Sequence, residues 1–310
     1  MRVRRELDLA GAREGPDDYG DRVRRALPAF FEPLEVDPVL PSTMLRAAEL
    51  AVGGAPEGAT VVADVQTSGR GRLDRTWSAL PGTSLLLTVV LRPRLAVPEA
   101  WLTAAAAGAA LVDAVRDVLA RPGAVPASGP GAVPAAGLGV GPAAGPGVPA
   151  VGLKWPNDLL VGGWKAAGLL AEARVTGGRL EWVLLGMGVN VGQGPDGFPA
   201  ELAGRATSVA LAAGTPVDRA ALLRAWAGPF LARYAALAAG DTAPVLADYR
   251  ERLDTLGRQV RVDLLGAAPV TGTAVGLGRT GSLVVRTPAG RRVEVAAGDV
   301  HHLRATAAGG

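Results

Sequence analysis

Two long apolar runs joined by a glycine turn constrain the fold of this chain more than any other segment. Residues 165–175 (KAAGLLAEARV) and 180–192 (LEWVLLGMGVNVG) have the length and apolar content of β-strands, and a TGG turn lies between them. Apolar runs separated by a short glycine turn are typical of antiparallel hairpins. The chain is therefore expected to carry a β-sheet at its centre.

Segments of strand and helix character surround this hairpin. Strands are predicted for residues 60–66 and 83–92, and Ala/Leu-rich or amphipathic helices for residues 99–120, 218–238 and 242–254. From residue 257 onward, short strands alternate with turns, which predicts a small closed β-barrel as a separate C-terminal module.

Two segments are not expected to contribute to the core. Residues 1–38 begin with a polar stretch and predict a flexible or loosely packed N-terminal extension. In residues 121–150, 23 of the 30 positions are Ala, Gly or Pro, and Arg121 is the only charge. Such a segment has few side chains to bury, so we expect a disordered insertion in a surface loop.

The composition excludes several kinds of chemistry. The chain has no cysteine and only two histidines, His301 and His302, which disfavours disulfides, thiolate nucleophiles, multi-histidine metal sites and Ser-His-Asp triads. A net charge of +3 gives no clustered basic surface for nucleic acid. No apolar run reaches membrane length, so a soluble cytoplasmic protein is expected. Catalysis would rest on Arg, Lys, carboxylates, amides and backbone donors.

The two lysines lie close together. Lys154 and Lys165 fall in GLKWPNDLLVGGWKAAGLLAE, whereas the other 30 basic residues are arginine. Drift in composition is one explanation; a need for a compact ammonium beside a phosphate or carboxylate is the other. Pro156 predicts a rigid bend that holds Lys154 at the end of a strand. Asn157 and Asp158 are turn-forming residues in either case.

The segment Ser68-Gly-Arg-Gly-Arg72 alternates glycine with arginine. Glycines let the backbone approach a ligand, and each arginine guanidinium can donate two hydrogen bonds to one carboxylate or phosphate. A solvated turn is the alternative, because it has the same composition. Gly186 and Gly188 interrupt a strand, which suggests either close approach by a ligand or a β-bulge. Asn190 suits the edge of a purine or a turn.

Taken together, these segments resemble the biotin–protein ligase family. The motifs that carry the resemblance are STM at 42–44, QTSGRGRLDRTW at 66–77, GTSLLLTVVLRP at 82–93, KWPNDLLVGGWKAAGLLAE at 154–172 and GMGVNV at 186–191. The resemblance covers residues 39–304. It implies an α+β catalytic domain of the class II aminoacyl-tRNA synthetase type over 39–256, with a mixed β-sheet and helices mainly on one side. An SH3-like β-barrel follows over 257–304, and residues 305–310 form a tail.

The resemblance also implies a reaction. Biotin would be activated by ATP and Mg²⁺ as biotinoyl-5′-AMP and transferred to a lysine of the biotin carboxyl carrier domain of acetyl-CoA or pyruvate carboxylase. The 38 residues before the match are too few for a winged-helix domain, so no DNA binding is expected; a homodimer is left open. Two alternatives remain: a lipoate or other acyl–protein ligase of the same fold, and a non-catalytic module that binds adenylate or carrier.

The resemblance assigns site residues by position. The implied biotin contacts are Ser42, Thr43, Met44, Gln66, Arg70, Gly71, Arg72 and Lys154. The implied nucleotide contacts are Arg70, Arg72, Trp77, Asn157, Lys165 and Asn190. Lys154 and Arg72 are the implied catalytic residues, and the metal ligands are not assigned. The family usually has Asn at position 44 and Gly at position 74, where this chain has Met44 and Asp74.

Overall fold

A computed structural model describes residues 16–72, 75–121, 148–202 and 204–303 of the chain. Asp74, most of the Ala/Gly/Pro-rich insertion and the C-terminal tail lie outside these residues, so the predictions made for them stay predictions. The helices are α1 (Pro16–Ala26), α2 (Thr43–Val52), α3 (Leu102–Leu119), α4 (Val209–Ala213), α5 (Arg219–Ala238) and α6 (Ala243–Arg252). None of the described helices is long and apolar enough to cross a membrane.

Nine strands precede α4. They are β1 (Leu34–Leu40), β2 (Thr60–Gln66), β3 (Gly69–Arg70), β4 (Thr76–Trp77), β5 (Ser84–Leu91), β6 (Val151–Lys154), β7 (Asp158–Val161), β8 (Trp164–Thr176) and β9 (Arg179–Asn190). Seven of them form one sheet in the order β1-β2-β5-β9-β8-β7-β6. The β1–β2 pair is parallel and the other neighbours are antiparallel, so the sheet is mixed. The predicted hairpin is β8–β9.

Helices cover the two faces of this sheet unequally, as predicted. Along β9, Val183 and Leu185 pack with α3 and α5 in the main core, whereas Leu184 packs with α2 in a smaller cluster. This alternation follows from the two-residue period of side chains in a strand. Because α2 is short, it covers only part of its face of the sheet. The candidate site lies on the remaining part of that face, beyond the N-terminus of α2.

The N-terminal segment differs from its prediction. Residues 16–38 contain α1 and most of β1, and Tyr19, Val23 and Phe31 are buried in the main core. The polar composition conceals the amphipathic pattern of α1, in which the apolar residues are few but lie on one face. For these residues the prediction of a loosely packed extension is wrong, because their apolar side chains complete the core beside α5.

The C-terminal module consists of five short strands, as predicted. They are β10 (Gln259–Leu264), β11 (Ala267–Leu277), β12 (Leu283–Arg286), β13 (Arg292–Val295) and β14 (Asp299–His302). They form an antiparallel sheet in the order β13-β12-β11-β10-β14. The end strands β13 and β14 do not pair with each other, so the predicted closure into a barrel is not seen in the strand pairing of the described residues. Its buried residues include Val260, Leu283 and Val300, which join the main core rather than a separate one. The module therefore packs against the domain that contains the large sheet.

Candidate functional site

A small hairpin lies over the sheet on the α2 face. Strands β3 and β4 pair Gly69 with Trp77, and the Trp77 ring rests on two glycines of the large sheet. Gly168 and Gly188 are directly opposite each other on β8 and β9. A Cβ atom at Gly188 would lie 2.7 Å from Trp77 Cε2, and one at Gly168 would lie 3.1 Å from Cζ3. The glycines are therefore required for close approach by the Trp77 side chain, whereas the sequence predicted approach by a ligand or a β-bulge at Gly186 and Gly188.

The N-terminus of α2 carries the first group of predicted residues. The backbone N–H of Thr43 donates to Gln66 Oε1 at 2.7 Å, and the Thr43 hydroxyl donates to the same oxygen at 3.0 Å. Thr88 in turn donates to Thr43 Oγ1 at 2.9 Å. Ser42 is the N-cap residue, but its hydroxyl makes no capping bond and is buried without a partner among the described residues. A buried free hydroxyl beside a fixed amide is available to a polar ligand.

Met44 lies behind this group. Its Sδ atom packs on Gly186, where a Cβ atom would come within 2.7 Å of the sulfur. Met44 also belongs to the apolar cluster between α2 and the sheet, with Ala47 and Leu184. The departure at position 44 therefore replaces a polar side chain of the family with an apolar, flexible one that fills the space above Gly186.

The turn between β6 and β7 carries the second group. Lys154 ends β6 and pairs in register with Asp158, which starts β7. Asp158 forms an ion pair with Lys165, with 2.7 Å between Oδ1 and Nζ. Lys165 Nζ also lies 5.7 Å from the centre of the Trp77 ring. The two lysines therefore flank one carboxylate, and Lys165 is the one that lies beside the hairpin.

Asn157 has a structural contact within the same turn. Its Nδ2 donates to the Leu169 carbonyl at 2.6 Å, while the Leu169 N–H donates to the Asn157 carbonyl at 2.9 Å. These bonds fasten the turn to β8. The turn-forming role of Asn157 is thus visible, and a nucleotide contact stays a prediction.

Two half-buried cations, Lys154 and Arg72, have no close carboxylate among the described residues. Burial lowers the pKa of Lys154, and Asp158 and Asp299 only partly oppose this effect. Burial likewise lowers the pKa of Arg72, which faces the same two carboxylates. Within the described part of the chain, neither cation has a carboxylate at ion-pairing distance. A desolvated cation in this state is stabilised when an anion binds.

Asp299 reaches the site from the C-terminal module. Arg75 Nη2 lies 2.6 Å from Asp299 Oδ2, so this ion pair joins the hairpin to β14. Burial raises the pKa of Asp299, but the hydrogen bond from Arg75 and the charges of Arg75, Lys154 and His301 outweigh it and lower the pKa overall. Asp299 is therefore ionised at neutral pH and faces the cations of the site.

A cavity lies beneath the hairpin. Its volume is about 510 Å³, and its lining includes Arg70, Arg72, Arg75 and Glu172. Arg70 Nη1 lies 3.9 Å from Glu172 Oε1 across it. A larger cavity of about 770 Å³ near Arg94 and Arg179 contains none of the predicted residues. The candidate site is therefore placed at the smaller cavity because the predicted residues Arg70, Gly71 and Arg72 line it.

Asn190 is engaged by the protein itself. Its Nδ2 donates to the Thr207 carbonyl at 3.1 Å, and its Oδ1 accepts from Gln193 Nε2 at 3.2 Å. Gln193 also donates to Ser84 Oγ at 2.6 Å. Both polar atoms of Asn190 are therefore occupied, and the turn-amide reading of this residue has direct support in the structure.

The structure brings most of the predicted residues to one face of the sheet. Those assembled around the hairpin, the α2 N-terminus and the Lys154 turn are Ser42, Thr43, Met44, Gln66, Arg70, Gly71, Arg72, Trp77, Lys154, Asn157 and Lys165. Sequence reasoning missed Thr88, Glu172 and Asp299. Asp299 is 224 residues from Arg75, and no local pattern distinguishes a carboxylate that makes such a contact.

The side chains that the structure describes at this site can bind an anion. Among the residues that the structure describes, no group of three or more His, Cys, Asp and Glu side chains could hold a metal ion. The half-buried cations and the free Ser42 hydroxyl instead suit a ligand with a carboxylate or phosphate at one end and hydrogen-bonding groups at the other.

Comparisons with known proteins agree with this arrangement. Residues 36–190 match the biotin/lipoate A/B protein ligase family, and residues 255–303 match the biotin protein ligase C-terminal domain. The chain is 35% identical over 259 residues to the biotin–[acetyl-CoA-carboxylase] ligase of Mycobacterium tuberculosis, which covers 83% of this chain and 84% of that protein. It is 32% identical over 252 residues to the bifunctional ligase/repressor BirA of Bacillus subtilis, covering 81% of this chain and 69% of that protein.

A solved structure shares the fold. The biotin protein ligase from Aquifex aeolicus in complex with biotin and ATP superposes with a TM-score of 0.65 at 24% identity, over 89% of this chain and 100% of that one. The mixed sheet, the C-terminal antiparallel module and both family matches lead to the same assignment: the chain belongs to the biotin/lipoate A/B protein ligase family and, within it, to the biotin protein ligases.

Proposed function

We propose that this protein is an ATP-dependent biotin–protein ligase that forms biotinoyl-5′-AMP and transfers the biotinoyl group to a lysine of a carrier domain. The observation that carries the proposal is a pair of half-buried cations, Lys154 and Arg72, neither of which has a close carboxylate in the described chain. Arg72 also lines the cavity under the hairpin. Such cations suit a reaction in which two anions meet, because they offset the repulsion between a carboxylate and a phosphate.

Biotin is assigned to the face of the sheet beside the N-terminus of α2. The free Ser42 hydroxyl and the amide of Gln66 can bond to the ureido ring, and Met44, whose sulfur covers Gly186, supplies an apolar wall. A hydrogen-bonding site of this kind discriminates against rings that lack matching donors and acceptors. The carboxylate end then extends toward the hairpin and the lysines.

In the first step, a carboxylate oxygen of biotin attacks the α-phosphorus of ATP, and the bond to the bridging oxygen breaks to release pyrophosphate. Lys154 and Arg72 stabilise the negative charge on the phosphoryl oxygens, and Lys165, beside the Trp77 ring, is a further cation of the site. Mg²⁺ arrives as part of the MgATP substrate, since this ion is commonly held by substrate phosphates with few protein ligands.

In the second step, the amine of the acceptor lysine attacks the acyl carbon of the adenylate. AMP leaves, the amide forms, and the amine proton is released. The relatives named as biotin–[acetyl-CoA-carboxylase] ligases support a carboxylase carrier domain as the acceptor. ATP and such a carrier are both cytoplasmic, which supports the same compartment for this enzyme.

The test is exchange of labelled pyrophosphate into ATP, with biotin or lipoate as the only added acid. We expect exchange with biotin and little with lipoate, followed by labelling of a carrier domain when one is added. Exchange with lipoate in preference to biotin would establish the other acyl ligase, and no exchange with either acid would establish a binding module. Lys154→Ala and Arg72→Ala should each lower exchange by about a hundredfold or more.

A further inference from the structure

The segment that connects the two parts of the molecule is attached to the strand that carries Lys154. Leu253 forms a parallel bridge with Leu153, and the N–H of Asp254 donates to the Leu153 carbonyl at 2.7 Å. A Cβ atom at Gly152 would lie 3.2 Å from Asp254 Cβ, so the two backbones are in close contact. Residues 253–255 therefore extend along β6 up to the Lys154 turn.

Thr255 connects this segment to the turn itself. Its Oγ1 accepts the backbone N–H of Trp155 at 2.9 Å and lies 3.1 Å from His302 Nε2. His302 Nδ1 faces a carboxylate, Asp254 Oδ2, at 3.8 Å, so the proton of the neutral ring is placed on Nδ1. Nε2 is then the acceptor, and the Thr255 hydroxyl donates its one hydrogen to it.

The charge state of His302 agrees with this assignment. Burial lowers its pKa to about 4, with Arg258 and Lys154 acting in the same direction and Asp254 opposing them. The ring is therefore neutral at physiological pH and can accept from Thr255. The Asp254, His302 and Thr255 side chains have the order of a catalytic triad, but Thr255 is fully buried, so no substrate can reach its hydroxyl.

The C-terminal module holds the other end of Trp155 as well. Trp155 Nε1 donates to the Gly281 carbonyl, in the turn before β12, at 2.7 Å. Both N–H groups of Trp155 are thus bonded to residues that follow the catalytic sheet in the chain. Since Trp155 comes directly after Lys154, its backbone position determines where the Lys154 side chain starts.

We propose that Thr255 and His302 are positioning residues for Lys154: the connecting segment and the last strand of the C-terminal module hold the Trp155 backbone and so place the Lys154 ammonium for the reaction. This inference rests on the proposed function, because it assigns Lys154 to the adenylation step. It gives the C-terminal module a part in catalysis through hydrogen bonds that lead directly to the Lys154 turn.

The kinetic test uses matched variants in biotin-dependent pyrophosphate exchange. Thr255→Val removes the hydroxyl and keeps the shape, and we expect kcat to fall by about tenfold to a hundredfold with little change in the KM for biotin. Thr255→Ser should retain most of the activity. His302→Phe should behave like Thr255→Val, whereas His302→Gln, which can still accept from Thr255, should not.

Coupling distinguishes positioning from a general structural role. In the Lys154→Ala background, Thr255→Val should cause little further loss, because the residue through which it acts is absent. A full additional loss in the double variant, or wild-type kcat in both Thr255→Val and His302→Phe, would overturn the proposal.

A spectroscopic readout does not depend on activity. The chain has two lysines, so ¹³C-lysine labelling should give two side-chain signals, which Lys165→Arg assigns. Thr255→Val should shift the Lys154 signal and leave the Lys165 signal in place, and ¹⁵N signals of His302 should show the Nδ1–H form. An unchanged Lys154 signal would refute the positioning role. Absence of pyrophosphate exchange in the wild type would instead refute the proposed function. The lysine signals would still show whether Thr255 positions Lys154.

Discussion

Arg75 and Asp299 form an ion pair that joins the hairpin over the site to the last strand of the C-terminal module, with 2.6 Å between Nη2 and Oδ2. The hairpin contributes Arg70, Arg72 and Trp77 to the site, so the same contact ties these three side chains to the module. Both partners are partly exposed, so the pair contributes little to global stability, about 0–1 kcal/mol. Its effect should be local.

Asp299→Asn should loosen the hairpin without unfolding the protein. Removing the charge takes away the attraction for Arg75, so amide hydrogen exchange should become faster in the hairpin residues on both sides of its tip, while Tm changes little. Asp263→Asn is the matched control, because Asp263 pairs with Arg261 in the same module at 2.8 Å. Equal exchange rates in the two variants would show that the Arg75 contact does not hold the hairpin.

Gly188→Ala should displace Trp77 from the sheet. The added methyl group would lie 2.7 Å from the indole ring, closer than real contacts allow, so either the ring or the strand has to move. Overpacking of this kind costs about 1–3 kcal/mol. We expect greater acrylamide quenching of the Trp77 fluorescence, obtained by difference from Trp77→Phe, and weaker biotin binding.

The control for this substitution is Gly276→Ala. Gly276 also lies in a strand, but a Cβ atom there meets nothing within 4 Å. Unchanged quenching in Gly188→Ala would mean that the Trp77 ring does not rest on Gly168 and Gly188 in solution.

Asn190→Ala should act mainly on stability. The substitution leaves the Thr207 carbonyl and the Gln193 amide each with one partner fewer in a buried position, which costs about 1–3 kcal/mol. Denaturant unfolding should show a lower midpoint with an unchanged slope. If the variant were as stable as the wild type but bound ATP much more weakly, the nucleotide contact implied by the family resemblance would be the better account.

His302 should make stability fall between about pH 6.5 and pH 4. Its folded pKa, about 4, lies below the ordinary value of 6.5, so the unfolded chain takes up a proton in this range and the folded chain does not. The contribution is present above pH 6.5 and is lost as the pH falls, with a magnitude on the order of 3 kcal/mol.

The measurement is the free energy of unfolding as a function of pH. His302→Gln should flatten the dependence in that window, whereas His301→Gln, at the more exposed neighbouring histidine, should leave it in place. Identical pH profiles for the wild type and His302→Gln would contradict the burial effect.

Much of the fold could be predicted from local patterns. The β8–β9 hairpin, the helices α3, α5 and α6 and the strands after residue 257 have periodicity or turn chemistry that their own residues contain. The helix α1 could not be predicted as part of the core, because its few apolar residues become buried only when α5 packs on them. Polar composition was therefore a poor guide to burial at that end of the chain.

The candidate site divides in the same way. The charged residues of the site could be identified from the GRGR and KWPND motifs and from the two lysines. Glycine spacing, proline and isolated charge are properties of short segments, so they can be read from the sequence. The contact of Trp77 with Gly168 and Gly188, the occupied state of Asn190 and the approach of Asp299 are not local properties. Each depends on segments brought together across the sheet or between the two parts of the molecule.

For the two lysines, the amino-acid sequence was sufficient to place both in one chemical region, because their isolation and the rigid KWPND turn can be read from a few consecutive residues. Only the tertiary structure shows how they differ. Lys165 pairs with Asp158 beside Trp77, while Lys154 is half-buried without an ion-pair partner among the described residues and precedes Trp155, whose N–H is bonded to Thr255. Burial and hydrogen bonding depend on which distant segments lie next to a side chain, and that arrangement exists only once the chain has folded.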